Sequence, residues 1–315
     1  NPKSKILPPF PTSILFLPPM EMNSFNLQEL STKRAHQFLL SAIGPRPIAW
    51  ASTLSEKGEP NLSPFSYFNV FSSNPPILVF SPARRVRNNT TKHTLQNAEA
   101  TGEVVINVAN YALVQQCSLS STEYGDGVNE FEKAGLTMLP SQVVKPFRVK
   151  ESPVQLECKI NEIKALGREG GAGNLIICEV VKMHVATSIT DNDGMIDTQK
   201  IDLVARMGGN WYCRAHGKAL FEVEKPLATL GIGIDNLPPA IKNSTILTGN
   251  DLAKLGNVET LPEDEALQKF AVSETYQKLL KDRDKLTPEA SHQAAQKFLT
   301  ANDTETAWKI LLLNL

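Results

Sequence analysis

The chain has 315 residues, 41% of them apolar and 21% charged, a globular balance that excludes disordered and fibrous proteins. Lys and Arg total 32 against 33 Asp and Glu, for a net charge of −1, so the basic excess of a protein that lives on nucleic-acid backbone is missing. The length amounts to about two domains at the usual ~150 residues each. Cys117, Cys158, Cys178 and Cys213 form no CxxC pair and are too few for a disulfide framework. Reduced cysteines in a cytoplasmic protein are therefore expected, and no metal site. No apolar run approaches the ~18–20 residues of a membrane span, so no membrane association is expected.

In chain order, residues 1–24 read as a leader or extension. A short apolar run follows two lysines there, but Pro8, Pro9, Pro11, Pro18 and Pro19 break it and no small-x-small cleavage site follows. A short helix is expected from about 22 to 42, on the helical spacing of "LQEL" and "AHQFLLSAI". "PIAWAST" and "PPILVFS" read as strands. The stretch between them, "NLSPFSYFNVFSSN", reads as an extended loop whose prolines leave the backbone unpaired. A helix is expected over Thr90–Ala100 with Gly102 as its stop, then the strand "EVVINVA" and two short helices around "YALVQQCSLS" and "VNEFEKAG". "PVQLECKINEIKAL" and "NLIICEVVKMHVAT" form a long hairpin candidate across "GREGGAG". From about Lys225 the texture turns helical to the end. The expected organisation is thus an extension over 1–24, a mainly β domain over 25–224 and an all-helical extension over 225–315. Many strands with short connections argue a β-barrel with helical decoration.

No GxSxG elbow, HExxH or GxxxxGK[ST] is present, and the five histidines lack metal-ligand spacing. One stretch stands out. Ser81–Thr94 carries Arg84, Arg85, Arg87 and Lys92 with no acidic residue, next to the start of a helix whose free N–H groups and dipole favour an anion. A solvated basic loop is the plain alternative. Upstream, Phe65, Tyr67, Phe68 and Phe71 alternate with Ser63, Ser66, Asn69, Ser72 and Ser73. Flat faces mixed with hydrogen-bonding groups, beside a basic loop, suit a heteroaromatic ligand with a phosphate tail, and a flavin is one.

"GPRPIAWAST", "NLSPFSYFNVFSSNPPILVFS" and the following "KHT" resemble the flavin reductase-like, FMN-binding split-barrel family, which includes flavin reductases, ferric reductase and flavoredoxin. The likeness runs on through "ESPVQLECKI", "NLIICEVVKMHV" and "LVARMGGNWY", so it spans about Phe25 to Arg214. It implies a split β-barrel, tightly bound FMN, NADH or NADPH as electron donor and a homodimer. It also implies the site. Ser52 and Thr53 would meet the phosphate or the ring edge, and Ser66, Tyr67, Phe68 and Asn69 would run along the isoalloxazine. Ser81, Arg85, Lys92 and Thr94 would hold the phosphate, and Trp211 or Tyr212 would lie near the flavin. His93 stands where the family often has Asp, which implies a slightly more positive pocket. No catalytic side chain is expected, because the two cofactors carry the hydride chemistry themselves. The implied activity is a flavin or small-acceptor reductase. The rivals are an electron carrier of flavoredoxin type and a pyridoxamine-phosphate oxidase-like protein, for which no contact set is visible.

Overall fold

The computed structural model describes residues 21–223, 225–226, 230–281 and 283–315, so residues 1–20 of the leader expected over 1–24 lie outside the described residues. The chain divides into two compact units, one over Phe25–Phe221 and one formed by Glu222–Leu315 with residues 21–24.

The first unit opens with α1 (Thr32–Ala42), whose start is capped by Ser31 Oγ. Four strands follow: β1 (Ala49–Leu54), β2 (Pro60–Phe65), β3 (Phe68–Ser73) and β4 (Pro76–Phe80). Next come α2 (His93–Thr101), β5 (Glu103–Val108), α3 (Val114–Leu119) and α4 (Glu130–Lys133). The short strands β6 (Met138–Leu139) and β7 (Arg148–Val149) pair with each other, and the long hairpin β8 (Val154–Ala165) and β9 (Asn174–Val185) follows. A last hairpin, β10 (Leu203–Arg206) and β11 (Tyr212–Ala215), completes the unit.

Seven strands make one antiparallel sheet in the order β2-β1-β5-β8-β9-β4-β3. Its two edge strands, β2 and β3, are consecutive in sequence and joined by Ser66–Tyr67 alone. The sheet therefore curls until its edges meet at that corner, yet no ladder closes them, and the barrel stays split. Register shifts in β8 at Glu157/Cys158 and Ile160/Glu162 are bulges that bend and twist the hairpin.

The stretch read as an unpaired loop, 61–74, is corrected here: most of it lies in β2 and β3. Pro64 sits opposite Trp50 within a ladder. An edge strand needs backbone partners on one side only, and Pro76 stands first in β4, so neither proline breaks the sheet.

β1 is buried on both faces. Ala49 and Ala51 pack with Phe80, Leu95 and Ile106, while Trp50 packs with Leu62, Leu113 and Phe131 on the other side. α2 starts three residues later than its periodicity suggests, because Asn89 takes a left-handed φ of 55° and the chain from Asn89 to Thr91 is tied to Arg84 and Arg85 instead. It ends as expected, on Gly102 with φ 68°.

The second unit is helical: α5 (Pro239–Lys242), α6 (Gly249–Gly256), α7 (Asp264–Ala271), α8 (Glu274–Leu280), α9 (Pro288–Thr300) and α10 (Thr304–Leu312). Its core is its own. Leu252, Leu255, Leu299 and Trp308 form one cluster, Tyr276, Leu286 and Ile310 a second, and Trp308 Nε1 donates to Leu255 O at 3.1 Å.

Candidate functional site

Trp50 Nε1 donates to Ser120 Oγ at 2.8 Å, which fixes the end of α3 against β1 and sets the following turn beside the start of α2. The result is a narrow cleft. Arg85, Lys92 and Thr94 line one side, Ser121 and Glu123 the other, and Asn61 and Ser63 of β2 the floor. Thr94 Oγ1 donates to Asn61 Oδ1 at 2.7 Å, and Asn61 Nδ2 donates to Glu130 Oε1 at 3.0 Å. Behind them Asn97 Nδ2 donates to Thr53 Oγ1 at 3.1 Å, so the floor is fixed by a buried polar network.

The cleft is not purely cationic. Glu123 accepts from Arg85 Nε at 3.0 Å and from Arg87 at 2.5 Å, and His93 Nε2 lies 2.7 Å from Asp126 Oδ1. Burial works to raise the Glu123 carboxyl, but the hydrogen bond and charge of Arg85, with Arg87 and Lys92, hold it below the ordinary carboxylate value. Burial pushes the Glu130 carboxyl up and the Lys92 ammonium down, the latter against the pull of Glu123. The chain thus brings carboxylates to this cleft from outside the acid-free stretch Ser81–Thr94.

Ser121 also lines a larger cavity of about 360 Å3. Ile48, Pro64 and Phe65 supply apolar wall, Ser66, Ser118 and Asn210 polar rim, and Tyr212 lies beneath the Arg206 guanidinium at 4.5 Å. Cleft and cavity therefore adjoin at Ser121, the two parts of the candidate groove. One end offers cations and hydroxyls, the other apolar walls with a polar rim, at the lower end of the ~300–1,000 Å3 range of small-molecule sites. A further cavity of about 230 Å3 shares Ser118 and Tyr212 and is lined also by Tyr111, Cys213 and Arg214. Arg46 holds the groove's corner together. It donates to Leu40 O and Ile43 O at the end of α1, to Met207 O at 2.9 Å and to Ser66 Oγ at 3.5 Å.

Arg85, Lys92 and Thr94 meet in the cleft and Ser66 lines the cavity, while Thr53 stands one hydrogen bond behind Asn61. Ser52 does not join them. Neighbouring residues of a strand point to opposite faces, so it lies across the sheet from Thr53, fully buried with no partner for Oγ among the described residues. Ser81 is buried at the end of β4, also with Oγ unpaired, against Gly173, where a Cβ would come within 2.7 Å of that oxygen. Phe68 packs in the barrel core, Tyr67 and Asn69 are exposed, and Trp211 is 78% exposed while its neighbour Tyr212 lines the cavity. Sequence reasoning missed Asn61, Ser121, Glu123, Arg206 and Asn210, and named Ser63 only within the hydroxyl-rich stretch. Asn61 had a signal: in a strand, Asn61, Ser63 and Phe65 share one face. Among the described residues no cluster of His, Cys, Asp and Glu is placed to hold a metal, and no helix is long and apolar enough to cross a membrane.

A family model described as the flavin reductase like domain matches residues 42–201. An uncharacterized protein of Aquifex aeolicus is 34% identical over 199 residues, 63% of this chain and 99% of its own length. Another, of Halalkalibacterium halodurans, is 36% identical over 203 residues, 64% of this chain and 95% of its own. Among solved structures, nitrilotriacetate monooxygenase component B from Bacillus cereus superposes with a TM-score of 0.61 at 30% identity, covering 65% of this chain and all of that one (100%). A split-barrel protein of flavin reductase type from Shewanella frigidimarina gives 0.56 at 29% identity, covering 65% and 99%.

Proposed function

The chain belongs to the flavin reductase-like domain family and is at that level a flavin-binding oxidoreductase, and from that premise we propose that its groove holds FMN and that NADH or NADPH reduces it. The observation that carries this reading is the adjacency, at Ser121, of a cleft lined by cations and hydroxyls and a cavity with apolar walls and a polar rim. The donor set agrees. Lys92 and Arg85 offer charge-assisted hydrogen bonds to phosphate oxygens at the start of α2, where helix N–H groups add to the field, and the Thr94 hydroxyl, which donates to Asn61, would have to turn from it to join them. Ile48, Pro64 and Phe65 offer apolar wall to a ring face and exclude water, and Ser66 and Asn210 offer hydrogen bonds to its polar rim.

Bound there, FMN would supply a hydride acceptor at its N5, and the protein's part reduces to alignment and electrostatics. No carboxylate or histidine lines the cavity among the described residues.

The reading extends to a cytoplasmic homodimer. Its support is α1, none of whose residues is buried among the described residues and which exposes Phe38 and Leu39, with Val70 and Phe71 exposed on edge strand β3. Trp211 and Tyr67, exposed in one chain, are then available to a second copy. All four cysteines are free, as a reducing compartment requires.

The test is the absorption spectrum of the purified protein, followed by anaerobic addition of NADH or NADPH. A flavin band near ~450 nm that bleaches supports the reductase. A band that neither nucleotide bleaches favours the electron carrier, and a protein that neither carries nor takes up FMN overturns the reading.

A further inference from the structure

Arg206 closes β10, opposite Tyr212 of β11, and its guanidinium lies over that ring while donating to Gly209 O at 2.8 Å. It lines the main cavity, yet among the described residues no carboxylate pairs with it. The arginines that do form ion pairs are Arg85, Arg87, Arg148 and Arg214. Its neighbour Arg46 is in the same position. The two exchange backbone hydrogen bonds of 2.9 Å, and the Arg46 guanidinium meets only neutral acceptors. Burial first, and the charge of Arg206 as a lesser cause, make Arg46 harder to keep protonated. A cation on the cavity wall, Arg206, beside a second buried cation, Arg46, with no carboxylate on either among the described residues, is an arrangement that a bound negative charge would relieve.

The proposed reaction creates such a charge. A hydride carries two electrons and one proton. The donor that releases it becomes one unit more positive, and the ring that accepts it becomes one unit more negative until a second proton arrives. That proton has no ready source in the cavity wall, because neither a carboxyl nor a histidine lines it and burial pushes the Cys117 thiol up to about 12. We infer that Arg206 is the fixed countercharge for the reduced isoalloxazine, stacked on Tyr212 so that its position does not change when the charge appears. The inference rests on the flavin reading of the groove. It assigns Arg206 to the reduced state rather than to binding in general. Arg214 makes the contrast: it stacks on Tyr111 at 3.8 Å in the neighbouring cavity, but Asp202 already neutralises it with two bonds of 2.7 Å.

The experiment measures dissociation constants of oxidised FMN and, anaerobically, of dithionite-reduced FMN for the full chain and three variants. Arg206→Gln is expected to weaken reduced FMN about tenfold more than oxidised FMN, which for a two-electron couple lowers the flavin potential by about 30 mV. Arg206→Lys, which keeps the charge without the planar stack, is expected to hold the wild-type ratio, and so is Arg214→Gln. An unchanged ratio in Arg206→Gln overturns the inference, whether or not both forms bind more weakly. If the Gln variant does not fold, Arg206→Lys decides: a wild-type ratio sustains the inference and a tenfold fall overturns it. Failure of the flavin reading looks different, since the wild type would then bind neither form.

Discussion

Glu123 and Arg85 meet at 3.0 Å across the cleft although 38 positions separate them in the chain. With Arg87 on its other oxygen, Glu123 engages the cations that a phosphate would use. An incoming phosphate must displace or share this carboxylate. The pair is partly exposed, so the competition is worth about 0.2–1 kcal/mol. Glu123→Gln is therefore expected to tighten FMN binding by about twofold to fivefold in a fluorescence titration. Weaker binding would show instead that Glu123 orients Arg85 for its ligand.

Lys92 sits deeper in the same cleft, its ammonium 6.0 Å from the centre of the Phe65 ring, and burial makes its charge costly to hold without an anion nearby. Lys92→Ala is expected to weaken FMN binding by about 1.5–3 kcal/mol, the scale of a charge-assisted hydrogen bond, and to leave the fold intact. Equal dissociation constants for variant and wild type would remove the phosphate from this cleft.

These two residues also mark what could be read from sequence. Lys92, Arg85 and Thr94 stood out because they crowd one short segment beside a helix start, and local crowding is visible in a string of letters. β1, the end of α2 and the β8–β9 hairpin were readable for the same reason, through apolar runs, a Gly102 stop and a glycine-rich turn. The split barrel itself came from the resemblance, not from periodicity. Glu123 and Arg206 were invisible because each reaches the groove through long-range packing, one by the Trp50–Ser120 bond and the other by the β10–β11 hairpin. The loop reading of 61–74 failed on its prolines, whose meaning depends on whether a strand is at the edge of a sheet. Ser52 and Thr53 were read together, although strand alternation separates them.

Glu157 gives the barrel a dependence on acid. Its carboxylate is buried, which alone would raise it, but the N–H groups of Gln142, Val143 and Val144 and the His184 ring at 2.7 Å hold it below the ordinary 4.5. A carboxyl lowered in the folded state stabilises above its unfolded value, and that stabilisation is lost as pH falls through the folded one. Thermal unfolding followed by circular dichroism is therefore expected to show Tm falling as pH drops below about 4.5. Glu157→Gln is expected to cost about 1–3 kcal/mol at pH 7, through N–H groups left without their charged acceptor, and to flatten the acid slope. A wild-type slope in the variant would assign the acid sensitivity elsewhere.

The helical unit is expected to be dispensable for the cofactor. Its two apolar clusters are built from its own residues, and every residue lining the cleft and the cavity lies between Ile48 and Tyr212. A chain ending at Phe221 should bind FMN within about twofold of the full chain, a change of about 0.4 kcal/mol. A folded truncation that takes up no FMN would place part of the site in the helical unit.

Of the expected ring-contact residues Ser66, Tyr67, Phe68 and Asn69, Ser66 lines the cavity, and its Oγ accepts a long hydrogen bond of 3.5 Å from Arg46 Nε. Its hydroxyl can orient a ring through its polar rim but supplies neither the hydride nor its acceptor. One orienting hydrogen bond is worth about 0.5–1.5 kcal/mol, so its loss slows a step by about tenfold at most. Ser66→Ala is therefore expected to slow reduction of bound FMN by NADH or NADPH by about threefold to tenfold in anaerobic stopped-flow, with FMN still saturating. The variant also frees Arg46 Nε at the corner where α1, β10 and Ser66 meet. A shift confined to the nucleotide concentration that half-saturates the rate would mean that this corner positions the donor rather than the ring. A loss near a thousandfold with FMN fully bound would give the Ser66 hydroxyl a direct part in the reaction, and the account of a site that only aligns its reactants would fall.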